Sequence, residues 1–152
     1  GRARLGFSGT RRLEQRVIAE RGSAGTDYAG AWDYPDFRGT LTLGYDIGQF
    51  TIGWNTSYIG KSRFSATDQS DETREMPYVP AYTKHDLNFA WRPTARYTVS
   101  LGVKNVTSAK VDHPVLAQNT GTSPHQVEGN GSANAYYDAI GRYFFGTVKV
   151  DF

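Results

Sequence analysis

Gly141-Arg142-Tyr143-Phe144-Phe145-Gly146-Thr147-Val148-Lys149-Val150-Asp151-Phe152 is the stretch from which the rest of the chain is read. Counting back in twos from Phe152 meets Val150, Val148, Gly146 and Phe144, whereas the intervening Asp151, Lys149 and Thr147 are polar. Successive side chains of a strand point to opposite faces. The stretch therefore predicts one strand with a face suited to lipid and a face suited to water.

Composition hides this character, because only 38% of the residues are hydrophobic and no stretch approaches a spanning helix. A lipid-exposed segment must satisfy its own backbone hydrogen bonds, so closed barrels remain as the spanning structures open to such a chain. The 10 Tyr, 8 Phe and 3 Trp fit aromatic girdles at two interfaces better than an ordinary soluble core. The 17 Gly suit curved strands and turns. A net charge of +2, with Lys and Arg scattered, argues against a nucleic-acid partner. The lack of cysteine excludes a disulfide scaffold and a thiolate metal site. With no initiating Met and no signal-like segment, the sequence reads as a mature and truncated piece.

About six strands are expected. The first, Leu5 to Val17, sets Leu5, Phe7, Leu13 and Val17 against a charged parity. Gly39 to Ile47 and Gln49 to Gly60 form a hairpin through Asp46-Ile47-Gly48-Gln49. Tyr82 to Trp91 and Arg96 to Val103 turn through Arg92-Pro93-Thr94-Ala95, and the terminal strand is the sixth. Long connections at roughly 18 to 38, 61 to 81 and 104 to 140 alternate with tight turns, the pattern of long outer loops and short periplasmic turns.

The terminal strand resembles those of bacterial outer-membrane proteins, whose last strand is read by the barrel-assembly machinery. The resemblance implies that Phe144, Val148, Val150 and Phe152 carry this assembly signature. The chain as a whole resembles the C-terminal part of TonB-dependent outer-membrane receptors through four motifs in order: Tyr58-Ile59-Gly60, His85-Asp86-Leu87, Gly102-Val103-Lys104-Asn105-Val106, and Tyr137-Asp138-Ala139-Ile140-Gly141-Arg142. Val106-Thr107-Ser108 departs from the family's more frequent Leu-Phe-Asp. This resemblance implies an all-β fold in which 1–152 form one incomplete segment of a barrel of about 22 antiparallel transmembrane strands. It further implies an absent N-terminal plug, a TonB partner reached through that missing part, and uptake of a scarce ligand such as a ferric siderophore, cobalamin or an oligosaccharide.

Arg142 shares the parity of Phe144 and Phe152. Ten residues at about 3.3 Å each, tilted near 45°, rise roughly 23 Å, close to an apolar band of about 25 Å. Arg142 is thus expected at the lipid-headgroup rim, against outer-membrane lipid or lipopolysaccharide phosphate; the bland alternative is a salt bridge with a loop residue such as Asp138.

No catalytic residue, cofactor or metal site is expected. His85, His113 and His125 lie in separate segments without ligand spacing, and His85 reads as a cap at the start of its strand. Adjacent on a strand, His85 and Asp86 point to opposite faces and cannot act as base and orienter; no Gly-x-Ser-x-Gly elbow appears. Three Asn-x-Ser/Thr triplets are turn and lumen residues rather than glycosylation sites. Ligand contact belongs to loops, and the segment 18–38 offers Tyr28, Trp32, Tyr34 and Asp36, aromatic faces with a carboxylate that can grip a siderophore or sugar. The Gly- and Asn-rich last connection reads as a mobile surface loop. Two alternatives stay open: a segment of another barrel such as a porin or adhesin, and a soluble carbohydrate-binding β-sandwich.

Overall fold

The computed structural model describes residues 1–31, 34–63, 78–110 and 140–151. Among them, six strands build one antiparallel sheet: β1 (Arg2–Arg11), β4 (Phe37–Ile47), β5 (Phe50–Ile59), β8 (Tyr82–Thr94), β9 (Tyr97–Lys104) and β10 (Tyr143–Val150), in that spatial order. Two short ribbons lie within the long connections, β2 (Arg16–Val17) with β3 (Thr26–Asp27), and β6 (Ser62–Arg63) with β7 (Tyr78–Val79). The expected all-β architecture of six antiparallel strands is present; the ribbons were not anticipated.

Register turns six separate alternations into two continuous faces. Leu5 pairs with Leu43, Leu43 with Trp54, Trp54 with Leu87, Leu87 with Val103 and Val103 with Phe144, an apolar row across the whole sheet. The next row on that face is Ala3, Tyr45, Ile52, Phe89, Leu101 and Gly146. The row between them, on the opposite face, is polar or small: Arg4, Gly44, Gly53, Asn88, Gly102 and Phe145, with Phe145 its one large apolar member. Leu5, Phe7, Phe144 and Val148 are 67–75% exposed, so the apolar face has no second layer over it among the described residues. An uncovered apolar surface of this extent needs an apolar medium or partner. Phe50 stacks on Phe89 at 5.7 Å and on Trp91 at 6.5 Å near the tight turns, and Phe37 meets Tyr58 at 6.0 Å near the long connections, so aromatic pairs mark both ends of the face.

The strands are also staggered. One row runs Arg2, Asp46, Thr51, Ala90, Ser100 and Thr147; β1 starts there, but β8 continues to Thr94 and β10 to Val150. At the other end β9 and β10 stop one residue past the row of Leu87, Val103 and Phe144, while β8 begins at Tyr82. From β1 to β10 the strand ends drift by three residues at one end of the sheet and by five at the other, the sense of stagger that tilted strands of a closing barrel show.

Most strand boundaries shift by one to three residues from expectation, and two of the differences have a clear backbone reason. The first strand ends at Arg11 rather than Val17: Arg12 N donates to the Asp36 carbonyl at 2.6 Å, and Pro35 before it has no N–H to continue the ladder. The chain then pairs with itself as β2 and β3. Conversely, β8 passes Pro93 and reaches Thr94, because a register shift between Trp91 and Thr94 places the proline where no donor is needed. Arg92 N still donates to the Gln49 carbonyl at 2.9 Å, tying this end to the β4–β5 turn, where Gly48 has φ 56°.

Candidate functional site at the long-connection end

Fully buried side chains gather where the connections fold back on the sheet. Ala31, Ile59, Val79 and Tyr82 are the buried apolar residues, with Ser62 beside them. The segment after Arg11 is shaped by Asp27, whose Oδ1 accepts Gln15 N at 2.9 Å and Ala29 N at 3.0 Å. Those two backbone donors, aided by Arg16 and Arg63, hold the Asp27 carboxyl below its ordinary value of 3.8. Tyr28 N donates to the Gln15 carbonyl at 2.9 Å and Tyr34 N to the Ala31 carbonyl at 2.9 Å, closing a tight loop in which Gly30 adopts φ 82°. The Tyr28 and Tyr34 rings meet edge to face at 5.8 Å.

This loop docks on β6. Arg63 N donates to the Gly30 carbonyl at 2.7 Å, and its Nη2 to the Ala29 carbonyl at 2.9 Å. Arg12 stands 5.2 Å from the centre of the Tyr34 ring and donates from Nη1 to Gln15 Oε1 at 3.1 Å. Lys61 Nζ lies 3.9 Å over the Tyr78 ring. The result is a cleft of about 480 Å³ with Arg11, Arg12, Lys61 and Arg63 on its walls, and with Asp27 and Asp36 as its carboxylates. Below it, on the polar face, a second hollow of about 320 Å³ carries Arg38 and Lys84 among the hydroxyls of Ser8, Thr10 and Thr40.

Of the loop residues anticipated for ligand contact, Tyr28 and Tyr34 are brought together and Asp36 lines the cleft. Trp32 lies outside the described residues. The four cations were missed. Their only trace in the sequence is the Arg11-Arg12 pair at a strand end and the period-two spacing of Lys61 and Arg63 after Gly60.

The His85-Asp86-Leu87 and Gly102 to Val106 motifs meet across β8 and β9. Asp86, 5% exposed, accepts Lys104 Nζ on Oδ2 at 2.9 Å and Asn105 N on Oδ1 at 2.9 Å. Asn105, fully buried at φ 50°, donates from Nδ2 to the Ala109 carbonyl at 3.0 Å and accepts Ala109 N on Oδ1 at 2.7 Å. Val106 N reaches the His85 carbonyl at 2.7 Å. These bonds anchor the start of the last long connection.

His85 is not a cap. It sits three residues inside β8 on the apolar face, where its Nδ1 lies 2.9 Å from Thr56 Oγ1, which also accepts Trp54 Nε1 at 3.0 Å. Phe144, Val148 and Val150 share the apolar face of β10, and exposed Arg142 immediately precedes that strand; Phe152 and Asp138 lie outside the described residues.

The sequence profile of the TonB dependent receptor-like, beta-barrel family matches residues 4–106. No curated protein and no solved structure matches the chain. That family is one of receptors and transporters rather than enzymes, and it implies an outer-membrane setting and an interaction with TonB. With the matched segment covering four of the six sheet strands whole, the staggered two-faced sheet belongs to the TonB-dependent receptor-like β-barrel family.

Proposed function

We propose that this chain forms part of the barrel wall of an outer-membrane receptor that takes up a scarce ligand with energy delivered through TonB. The observation carrying this reading is the apolar row that runs unbroken from Leu5 to Phe144 across six strands, backed by a largely polar opposite face. The apolar face meets lipid, the polar face meets the lumen, and the long connections meet the medium. Ligand is first met at the cleft that Asp36 lines, by Asp36 and by the paired Tyr28 and Tyr34 of the loop that forms its edge, with Trp32 near them in sequence. The barrel-assembly machinery reads Phe144, Val148, Val150 and Phe152, while Arg142 stands at the headgroup rim facing lipopolysaccharide. Candidate ligands are a ferric siderophore, cobalamin or an oligosaccharide.

The test is growth of receptor-null cells on each of three limiting supplies: chelated iron, cobalamin, and oligosaccharide as carbon source. A defect on one supply, restored by the full-length gene in TonB-competent but not TonB-deficient cells, is the expected outcome. Restoration independent of TonB would contradict the reading.

A further inference from the structure

We propose that the cleft at the long-connection end is a binding site for a small soluble ligand bearing carboxylate or phosphate groups, an inference that rests on the uptake reading and narrows its substrate. Among the described residues, no ion pair joins Arg11, Arg12, Lys61 or Arg63 to a carboxylate. Three of the four are nevertheless held by neutral groups. Arg12 is fixed by the Tyr34 ring and the Gln15 amide, Arg63 by the Ala29 carbonyl, and Lys61 by the Tyr78 ring. Aromatic faces and carbonyls orient a cation without cancelling its charge.

Among the described residues, the two carboxylates lining the cleft, Asp27 and Asp36, set two negative charges against four positive ones. Asp27 keeps its charge but is engaged locally, taking two backbone N–H groups on one oxygen and the nearby positive charge of Arg16 and Arg63. The described walls of the cleft therefore carry a net positive charge on oriented cations. A positive potential over a walled cleft raises local anion concentration and approach rate. The cleft's roughly 480 Å³ fits a ligand of small-molecule size. Guanidinium forks at Arg12 and Arg63 match planar carboxylate or phosphate oxygens.

The experiment uses the full-length receptor purified in detergent, with citrate and pyrophosphate as probes, a neutral disaccharide as control, and calorimetry as readout. Both anions should bind, the disaccharide should not, and affinity should fall as salt rises. Arg12→Gln and Arg63→Gln should each weaken binding about tenfold, Arg12→Lys and Arg63→Lys should recover part of it, and Arg21→Gln, in the same loop outside the cleft, should change it less than twofold. Heat-modifiable migration checks that every variant is folded. Failure of both anions to bind, or binding indifferent to Arg12→Gln and Arg63→Gln, would overturn the proposal. If the anions fail while lipopolysaccharide binding is lost in those variants, the cations serve a lipid headgroup and the soluble-ligand proposal also falls. TonB-dependent growth kept intact in the Arg12→Gln, Arg63→Gln double variant would sink the anion site alone and leave the uptake reading standing.

Discussion

Asp86 is the residue on which most local structure converges. It pairs with the half-exposed Lys104 and receives the Asn105 N–H, so its removal leaves a buried backbone donor without its acceptor and a cation without its partner. An unpaired buried donor of this kind costs about 1–3 kcal/mol, and the half-exposed Lys104, which water can solvate, adds less. Asp86→Ala in the full-length receptor is therefore expected to lower the temperature of its heat-modifiable transition, with Asp86→Asn intermediate because its amide oxygen still accepts Asn105 N–H. Asn105→Gly should be milder than Asn105→Ala: both lose the Ala109 bonds, but only glycine sits at φ 50° without strain. A different residue controls the outer loop. Asp27 has a lowered carboxyl pKa, so the stability it contributes is present above the ordinary 3.8 and is lost as pH falls through the lowered folded value. Protection of the Gln15 and Ala29 amides, their exchange rate relative to an unstructured chain at the same pH, should persist at neutral pH and be lost only in acid below 3.8, whereas Asp27→Ala should show none at any pH.

At the scale of elements, strand parity was legible because alternation is printed in the sequence: Val148 and Lys149 fall on opposite faces in β10, as counting from Phe152 predicts. Pairing partners were legible for the two hairpins, whose turns are short. The strand ends were not. Val17 shares the parity of Leu5, but Pro35 on the partner side cannot donate, and the ladder breaks before Val17 is reached. Pro93 looked like a stop and is instead absorbed in a register shift. Val148→Lys in the full-length receptor should impair outer-membrane assembly far more than Lys149→Val, since a lipid-facing Lys at mid-membrane costs about 2–4 kcal/mol. Surface protease accessibility and heat-modifiable migration measure this, and equal assembly of the two would reverse the faces. Gly102 is legible only in three dimensions. A side chain there would overlap the Phe145 ring packed across it, so Gly102→Ala should slow assembly and Phe145→Ala should relieve that penalty.

At the scale of the whole molecule, the stagger of the strands and the continuous apolar rows are properties of no single strand. They emerge once register is fixed, which is why alternation could announce the faces but not the tilt. The cleft follows the same logic. Its aromatic residues stood out as a cluster within 18–38, whereas Arg11 and Arg12 at one strand end and Lys61 and Arg63 beyond another converge only through the docking of the loop on β6. Among the described residues, β1 and β10 each pair on one side only, so the sheet presents two open edges as well as an apolar face. Such edges template association. The isolated 152-residue chain should aggregate in plain buffer, and a monodisperse, cooperatively unfolding monomer by sedimentation and denaturant titration would contradict this.

The most direct measurement is sidedness in intact cells, helped by the absence of native cysteine from this chain. A cysteine at Ser23, exposed between β2 and β3, and one at Ala95, exposed in the β8–β9 turn, sit at opposite ends of the sheet. With an impermeant thiol reagent, Ser23→Cys should label and Ala95→Cys should stay silent until the outer membrane is breached. Labelling of Ala95→Cys but not Ser23→Cys would invert the barrel, and immediate labelling of both would remove it from the membrane altogether.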